Sequence, residues 1–167
     1  MLTELRPISP DDGRDVYDML QEIPEDENGF INHFHGIPFD EYRVRLAAAY
    51  ADSKQVGIVD GWKVPQTIFW LYAGGKPAGM CKLRHFLTEQ LLLSGGHIGY
   101  AIRPSMRGKG LGTMQLKLVL NEAKRLGIDR VLVTTNPDNV ISQRVILACG
   151  GKPEHLSPDK CRFWIHL

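Results

Sequence analysis

The sequence predicts one α/β domain of six to seven short strands and about four helices. Three observations carry that reading. Residues 95–126 run as a strand, a glycine-rich turn and a long amphipathic helix. Residues 67–73 and 78–86 are both rich in strand formers and are joined by Gly74-Gly75-Lys76-Pro77, which reads as a hairpin. Helical and strand periodicities alternate over a chain of 167 residues, a length that suits one core.

In chain order, residues 3–8 form a first strand. Ser9-Pro10-Asp11-Asp12 reads as an N-cap with proline at the first helical position, and Val16, Met19, Leu20 and Ile23 recur at helical spacing up to Pro24. Residues 25–37 are polar and irregular, with Asn28-Gly29 as a turn, and residues 39–51 form a second helix with Tyr42, Leu46 and Ala49 on one face. Residues 54–64 read as a loop, and residues 87–94 as a loop or one helical turn. Residues 95–103 are the next strand, where Gly99 signals a bulge or a close ligand approach, and Pro104 ends it by withholding an N–H. Leu116, Val119, Leu120, Ala123 and Leu126 share one helix face, with Gly127 as the C-terminal cap. Residues 131–135 read as a buried strand, Asn136 or Asn139 caps a short helix to Ala148, and residues 161–167 form a last strand paired with residues 151–155.

The chemistry concentrates between Arg107 and Thr113. Gly108, Gly110 and Gly112 let the turn adopt positive φ and bring its amides close to an anion, the following helix adds N–H donors and its dipole, and Arg107 and Lys109 add full charge. This is a phosphate or pyrophosphate site. A Walker loop is excluded because no Gly-x-x-x-x-Gly-Lys-Ser/Thr occurs. A dinucleotide fingerprint is excluded because Thr113 stands where its third glycine would be.

Composition narrows the classes further. A net charge of +1 offers no basic field for nucleic acid or anionic lipid, and no apolar run approaches the roughly 20 residues of a membrane span. The N-terminus lacks a signal-peptide plan, so a cytoplasmic protein with neither nucleic-acid nor membrane partner is expected. Cys81, Cys149 and Cys161 are odd in number and widely spaced, which suits free thiols. His33-Phe34-His35 lacks a second ligand pair, so no metal site is expected.

Arg107-x-x-Gly110-x-Gly112, with Pro104 and a strand before it and a long helix after it, resembles the signature of the GNAT superfamily of acyl-CoA-dependent N-acyltransferases. Val64-Pro65, Leu83-Arg84-His85 and Gly95-Gly96-His97-Ile98-Gly99-Tyr100 extend the resemblance to a bacterial subgroup of acetyltransferases. The resemblance implies a mixed, mostly antiparallel central sheet flanked by helices. It also implies acetyl-CoA as cofactor and a small-molecule or peptide amine as acceptor, with a homodimer left open. Cofactor contacts are then expected from Ala101, Ile102, Arg103, Arg107, Gly108, Lys109, Gly110, Leu111, Gly112, Thr113, Asn139 and Ser142. The pantetheine arm would lie along the free edge of residues 98–102 as an added strand, with an N–H near Tyr100 or Ala101 meeting the developing oxyanion.

The resemblance implies direct attack by the amine, so no nucleophile is assigned to the cysteines. His97 stands seven residues before Pro104, where many relatives place a proton-relaying glutamate, and an imidazole suits that duty. It reads equally as a strand histidine bonded to a backbone group or facing solvent. Many relatives also carry a tyrosine acid four residues before the closing glycine. Here that position is Ile146, which leaves water, Tyr100 or Ser142 as proton donor, or an unaided thiolate. The rival reading is a non-catalytic acyl-CoA-binding or sensing module.

Overall fold

The computed structural model describes residues 1–54, 61–156 and 158–167. Part of the expected loop at 54–64 therefore lies outside the described residues. Two sheets carry the fold. Strands β1 (Thr3–Pro7), β4 (Gln66–Ala73), β5 (Lys76–Arg84) and β6 (Ile98–Ile102) pair in the order β1-β4-β5-β6, and β7 (Arg130–Thr135), β9 (Cys161–His166) and β8 (Lys152–Leu156) pair as β7-β9-β8. A two-residue ladder, β2 (Asp26–Glu27) with β3 (Phe30–Ile31), forms a separate small hairpin. All of these pairings are antiparallel. Among the described residues, five α-helices accompany them: α1 (Arg14–Glu22), α2 (Phe39–Asp52), α3 (Glu89–Leu93), α4 (Leu111–Arg125) and α5 (Val140–Ala148).

The sheets divide the core in two. Leu116, Val119 and Ala123 of α4 pack with Cys81 and Leu83 of β5, Val131 and Val133 of β7, and Phe163 and Ile165 of β9. On the other face Val16, Met19 and Leu20 of α1 and Tyr42 and Leu46 of α2 bury against Ile68, Trp70 and Met80. Each such side chain contributes roughly 1.5–3 kcal/mol when fully withdrawn from water.

Three local expectations change. Helix α1 starts at Arg14, not after Ser9, because Asp12 is used otherwise: its Oδ2 accepts the Ser9 N–H at 2.7 Å and the Trp70 indole N–H at 2.7 Å, which fixes residues 9–12 as a turn. Residues 26–31 are a hairpin, with Asn28 and Gly29 both at positive φ as a two-residue turn of this kind demands. The ladder through Gly99 keeps its register, so no bulge lies there, and the register shift falls between Leu71 and Tyr72 instead.

The exit of α1 is fixed by an ion pair between Glu22 and Arg103, whose guanidinium also donates to the Pro77 carbonyl at 3.0 Å. The Arg103 hydrogen bond holds the Glu22 carboxyl down at about 2, against an ordinary 4.5. A depressed carboxyl stabilises the fold above its unfolded pKa and loses that stabilisation as pH falls from about 4.5 towards 2. Glu22 is partly exposed, so the screened contribution is about 1 kcal/mol. Urea unfolding of Glu22→Gln is expected to show a loss of about that size at pH 7. The gap should close between pH 4.5 and 2, and a constant gap would contradict the assignment.

Candidate active site

The two sheets meet at one end only. Gly96 sits at φ +61°, and a Cβ there would fall 2.5 Å from the Leu132 carbonyl oxygen, so only glycine lets the approach to β7 come this close. The next residue makes the join. The His97 N–H donates to Leu132 O at 2.8 Å, and Leu132 N–H donates back to His97 Nδ1 at 3.0 Å. Gly95 N–H donates to Thr134 Oγ1 at 3.1 Å, while Arg84 holds the Gly96 carbonyl at 3.1 Å. Past this clasp β6 and β7 share no ladder. A cavity of about 340 Å³ opens between Ile98, Gly99 and Tyr100 on one side and Val133, Thr134 and Thr135 on the other.

The free edge of β6 faces that gap. Arg84 N–H bonds His97 O and Arg103 N–H bonds Ala78 O, so with a period of two Gly99 and Ala101 turn their main chain to β5. The main chain of Tyr100 and Ile102 therefore points outward, and Ile102 O accepts from Arg107 Nε at 2.9 Å.

A second cavity of about 390 Å³ continues from the first. Tyr100, Asn139, Ser142, Glu27 and Asn28 line both, and Arg107, Gly108, Gly110, Leu111, Gly112 and Thr113 line its far end. Gly108 and Gly110 adopt φ +77° and +73°, and Gly110 caps α4 without any side-chain cap. Among the described residues, no protein acceptor bonds the N–H of Gly108, Gly110, Leu111, Gly112 or Thr113. These five donors, at the positive end of a four-turn helix, form an anion cradle. Arg107 stands beside it in an ion pair with Glu27 at 2.6 Å.

The cavity pair brings together most of the residues expected from sequence. Ala101, Ile102, Arg107, Gly108, Gly110, Leu111, Gly112, Thr113, Asn139 and Ser142 line the second cavity. Asn139 Oδ1 caps α5 by accepting Ser142 N–H at 3.2 Å, and Ser142 Oγ shares a hydrogen bond with Tyr100 OH at 2.9 Å. Two residues stand apart. The Arg103 side chain is held by Glu22 and Pro77 on the other side of its strand, and the exposed Lys109 is absent from the lining. Sequence reasoning passed over Lys82, Glu27 and the 26–31 hairpin, which the fold carries to the cleft wall. The Asn-Gly turn was the one signal available.

His97 is 7% exposed, and burial together with the Arg84 charge lowers its pKa to about 4. With Nδ1 accepting from Leu132, the neutral ring carries its proton on Nε2 and has no free lone pair. The geometry therefore supports the backbone-bonded reading of His97 over the proton relay. Tyr100 is pushed up to about 12 by burial, so its hydroxyl stays protonated. Ile146 is fully buried in the core, packed beneath Gly151, and does not reach the cleft.

The sequence model of the acetyltransferase (GNAT) domain matches residues 3–152. The chain belongs to the GNAT acetyltransferase family. Solved structures of this family share the fold at low identity. The ribosomal L7/L12 alpha-N-protein acetyltransferase RimL, solved with coenzyme A, superposes with TM-score 0.70 at 14% identity over 99% of this chain and 94% of its own. A GNAT-family acetyltransferase from Streptococcus pneumoniae gives 0.64 at 14% identity over 99% of both chains. The Campylobacter jejuni N-acetyltransferase PseH, solved with acetyl coenzyme A, gives 0.60 at 12% identity, also over 99% of both. No curated protein matches the sequence significantly. Among the described residues of this GNAT chain, no helix is long and apolar enough to cross a membrane and no His/Cys/Asp/Glu group is arranged to hold a metal ion.

Removing the His97 ring separates clasp from base. His97→Ala leaves the buried Leu132 N–H unpaired, an expected cost of about 1–3 kcal/mol in chemical denaturation. The folded ring binds its proton less well than the unfolded one. Wild-type stability should therefore fall as pH drops from about 6.5 towards 4, and the variant should lose that slope. His97→Asn, whose side-chain oxygen can accept from Leu132 N–H, is expected to recover part of the stability. An unchanged stability with kcat down a hundredfold or more would instead make His97 the base.

Proposed function

We propose that this chain transfers the acetyl group of acetyl-CoA to a primary amine of a small molecule or peptide, by direct attack within one ternary complex. The observation that carries the reading is the row of unpartnered amides at 108 and 110–113, leading through a shared wall into the gap between β6 and β7. The solved relatives named above with coenzyme A or acetyl coenzyme A support the choice of carrier.

The residues present fit that carrier. The amides of Gly108, Gly110, Leu111, Gly112 and Thr113 and the Arg107 guanidinium would hold its diphosphate, by hydrogen bonds and charge at a helix N-terminus. Ile141 and Val145 of α5 give the same cavity an apolar wall. The outward main chain of Tyr100 and Ile102 would pair with amide groups as an added strand does. When bound, acetyl-CoA supplies a thioester carbonyl open to an amine. The Tyr100 N–H, on the free edge where the cavities meet, is the donor placed for negative charge building on that carbonyl oxygen; one such donor contributes about 3–4 kcal/mol in other acyl-transfer enzymes. Of the two amides weighed from sequence, this favours Tyr100 over Ala101, whose main chain serves β5.

The amine must lose a proton. For a lysine with pKa near 10.4 this costs roughly 4–5 kcal/mol at pH 7, against about 1 for an α-amine. With His97 committed to Leu132, His33 is the imidazole lining the cavity. Partial burial and the charges of Lys82 and Arg45 lower its pKa, which keeps it neutral and able to accept a proton. A departing thiolate, with a solution pKa near 8.5, needs little protonation, so the absence of a tyrosine at Ile146 does not block transfer. The same absence favours the second reading, a module that binds acyl-CoA without turnover.

Release of free thiol from acetyl-CoA across an amine panel separates the two: turnover with at least one amine class supports transfer, and tight binding without turnover supports the module. The cradle itself is tested at Gly112. A Cβ there meets Val145 Cγ2 at 3.7 Å and Ile102 Cγ1 at 4.0 Å, ordinary contacts in a helical conformation. Gly112→Ala should therefore keep its Tm within a few degrees while its methyl, on the cavity lining, weakens CoA binding several-fold by calorimetry. Unchanged affinity would contradict the cradle.

A further inference from the structure

The floor of the acceptor cavity carries two positive charges, Lys82 and Arg84, that form no ion pair among the described residues. Lys82 and Arg84 lie two residues apart on β5, so they share the sheet face that lines the 340 Å³ cavity. Lys82 Nζ donates to the Ile31 carbonyl at 2.6 Å and stands 5.0 Å from the centre of the Phe30 ring. Arg84 Nη1 donates to the carbonyls of Gly95 and Gly96. Every one of these partners is a neutral oxygen or an aromatic face. None of the ion pairs among the described residues includes Lys82 or Arg84.

Burying a cation without a counter-charge is costly, and two side by side repel each other. Burial, with the charge of Arg84 beside it, lowers the lysine pKa to about 8. The acidic residues in the lining are Glu27, which is committed to Arg107, and Asp52, which forms no ion pair with Lys82 or Arg84 among the described residues; Lys63 adds a further cation at the rim. The cavity wall is thus electrostatically incomplete where the acceptor would sit.

We propose that the acceptor is a small amine bearing its own anionic group, a carboxylate or a phosphate, which seats on Lys82 and Arg84. The inference rests on the acetyl-transfer reading and sharpens it. Its geometry follows from the ladder. Lys82 pairs directly with Gly99, and Gly99 adjoins Tyr100, where the thioester is placed. Adjacent strands lie about 4.8 Å apart, and an attacking nitrogen must come within about 3–3.5 Å of its carbonyl. The anion and the amine are therefore only a few bonds apart, within one molecule small enough for a cavity of about 340 Å³.

Matched acceptor pairs that differ only in the anion test this: an α-amino acid against its amide for a carboxylate, and O-phosphoethanolamine against ethanolamine for a phosphate. In the wild type, kcat/KM is expected to favour the anionic member of at least one pair tenfold or more, and that pair names the anion. Lys82→Met should cut the ratio about tenfold, and Lys82→Arg should keep most of it, with CoA affinity by calorimetry reporting an intact fold. Ratios near one in both pairs, or a preference for the neutral members, would overturn the inference while leaving acetyl transfer standing. Equilibrium dialysis of the same pairs against the CoA-loaded protein covers the case in which no amine is turned over. Anion-dependent binding lost in Lys82→Met supports the site even though transfer fails, and equal binding of both members overturns it.

Discussion

The clasp between His97 and Leu132 is the constraint on which the rest of the molecule depends. Two hydrogen bonds and a glycine with no room for a side chain hold the sheets together at one end. Beyond it the strands take different partners: β6 is bound by β5 on one edge only, and β7 by β9. A fully closed sheet would spend the main-chain groups of Tyr100 and Ile102 on a neighbouring strand. An open one leaves them unpaired in water, the usual liability of an edge strand. On the proposed reading the liability would become a binding edge; the 26–31 hairpin lies beside it, with its Phe30 ring 3.1 Å from where a Cβ on Gly99 would stand.

Charge is distributed along the groove in a consistent order. At the outer end, amides and Arg107 offer positive potential to a diphosphate; in the middle, Ile141, Val145 and the Tyr100–Ser142 pair present a mainly apolar wall; at the inner end, Lys82 and Arg84 are positive again. Glu27 sits where the two cavities meet and binds Arg107 across the groove, from a hairpin that also touches Lys82 through Ile31. On the proposed reading, a diphosphate reaching the cradle would compete with Glu27 for the same guanidinium, and the hairpin would thereby link the two halves of the groove.

Much of this was legible in the sequence because it is local. Helix α4 is legible in its apolar spacing and Gly127, α5 in an asparagine cap, and the cradle in three glycines beside Arg107. What was not legible depends on partners distant in the chain. Arg103 is expected from sequence among the cofactor contacts, and its guanidinium is held by Glu22, over eighty residues earlier. His97 looked like a base because its position matched one, whereas its bond partner, Leu132, lies 35 residues ahead. Lys82 sits in an unremarkable strand sequence, and only its tertiary setting, bonded to the Ile31 carbonyl and in no ion pair among the described residues, gives it meaning. Side-chain direction at a site is set by tertiary contacts, and periodicity alone does not encode it.

Backbone amide chemical shifts, followed by NMR as CoA is titrated into the protein, test the central claim most directly. The account predicts large shifts for the N–H groups of Gly108 to Thr113 and for those of Tyr100 and Ile102, with Gly99 and Ala101 moving far less because their amides stay bonded to β5. Saturation with no shift at 108–113, or the largest shifts elsewhere on the surface, would contradict it.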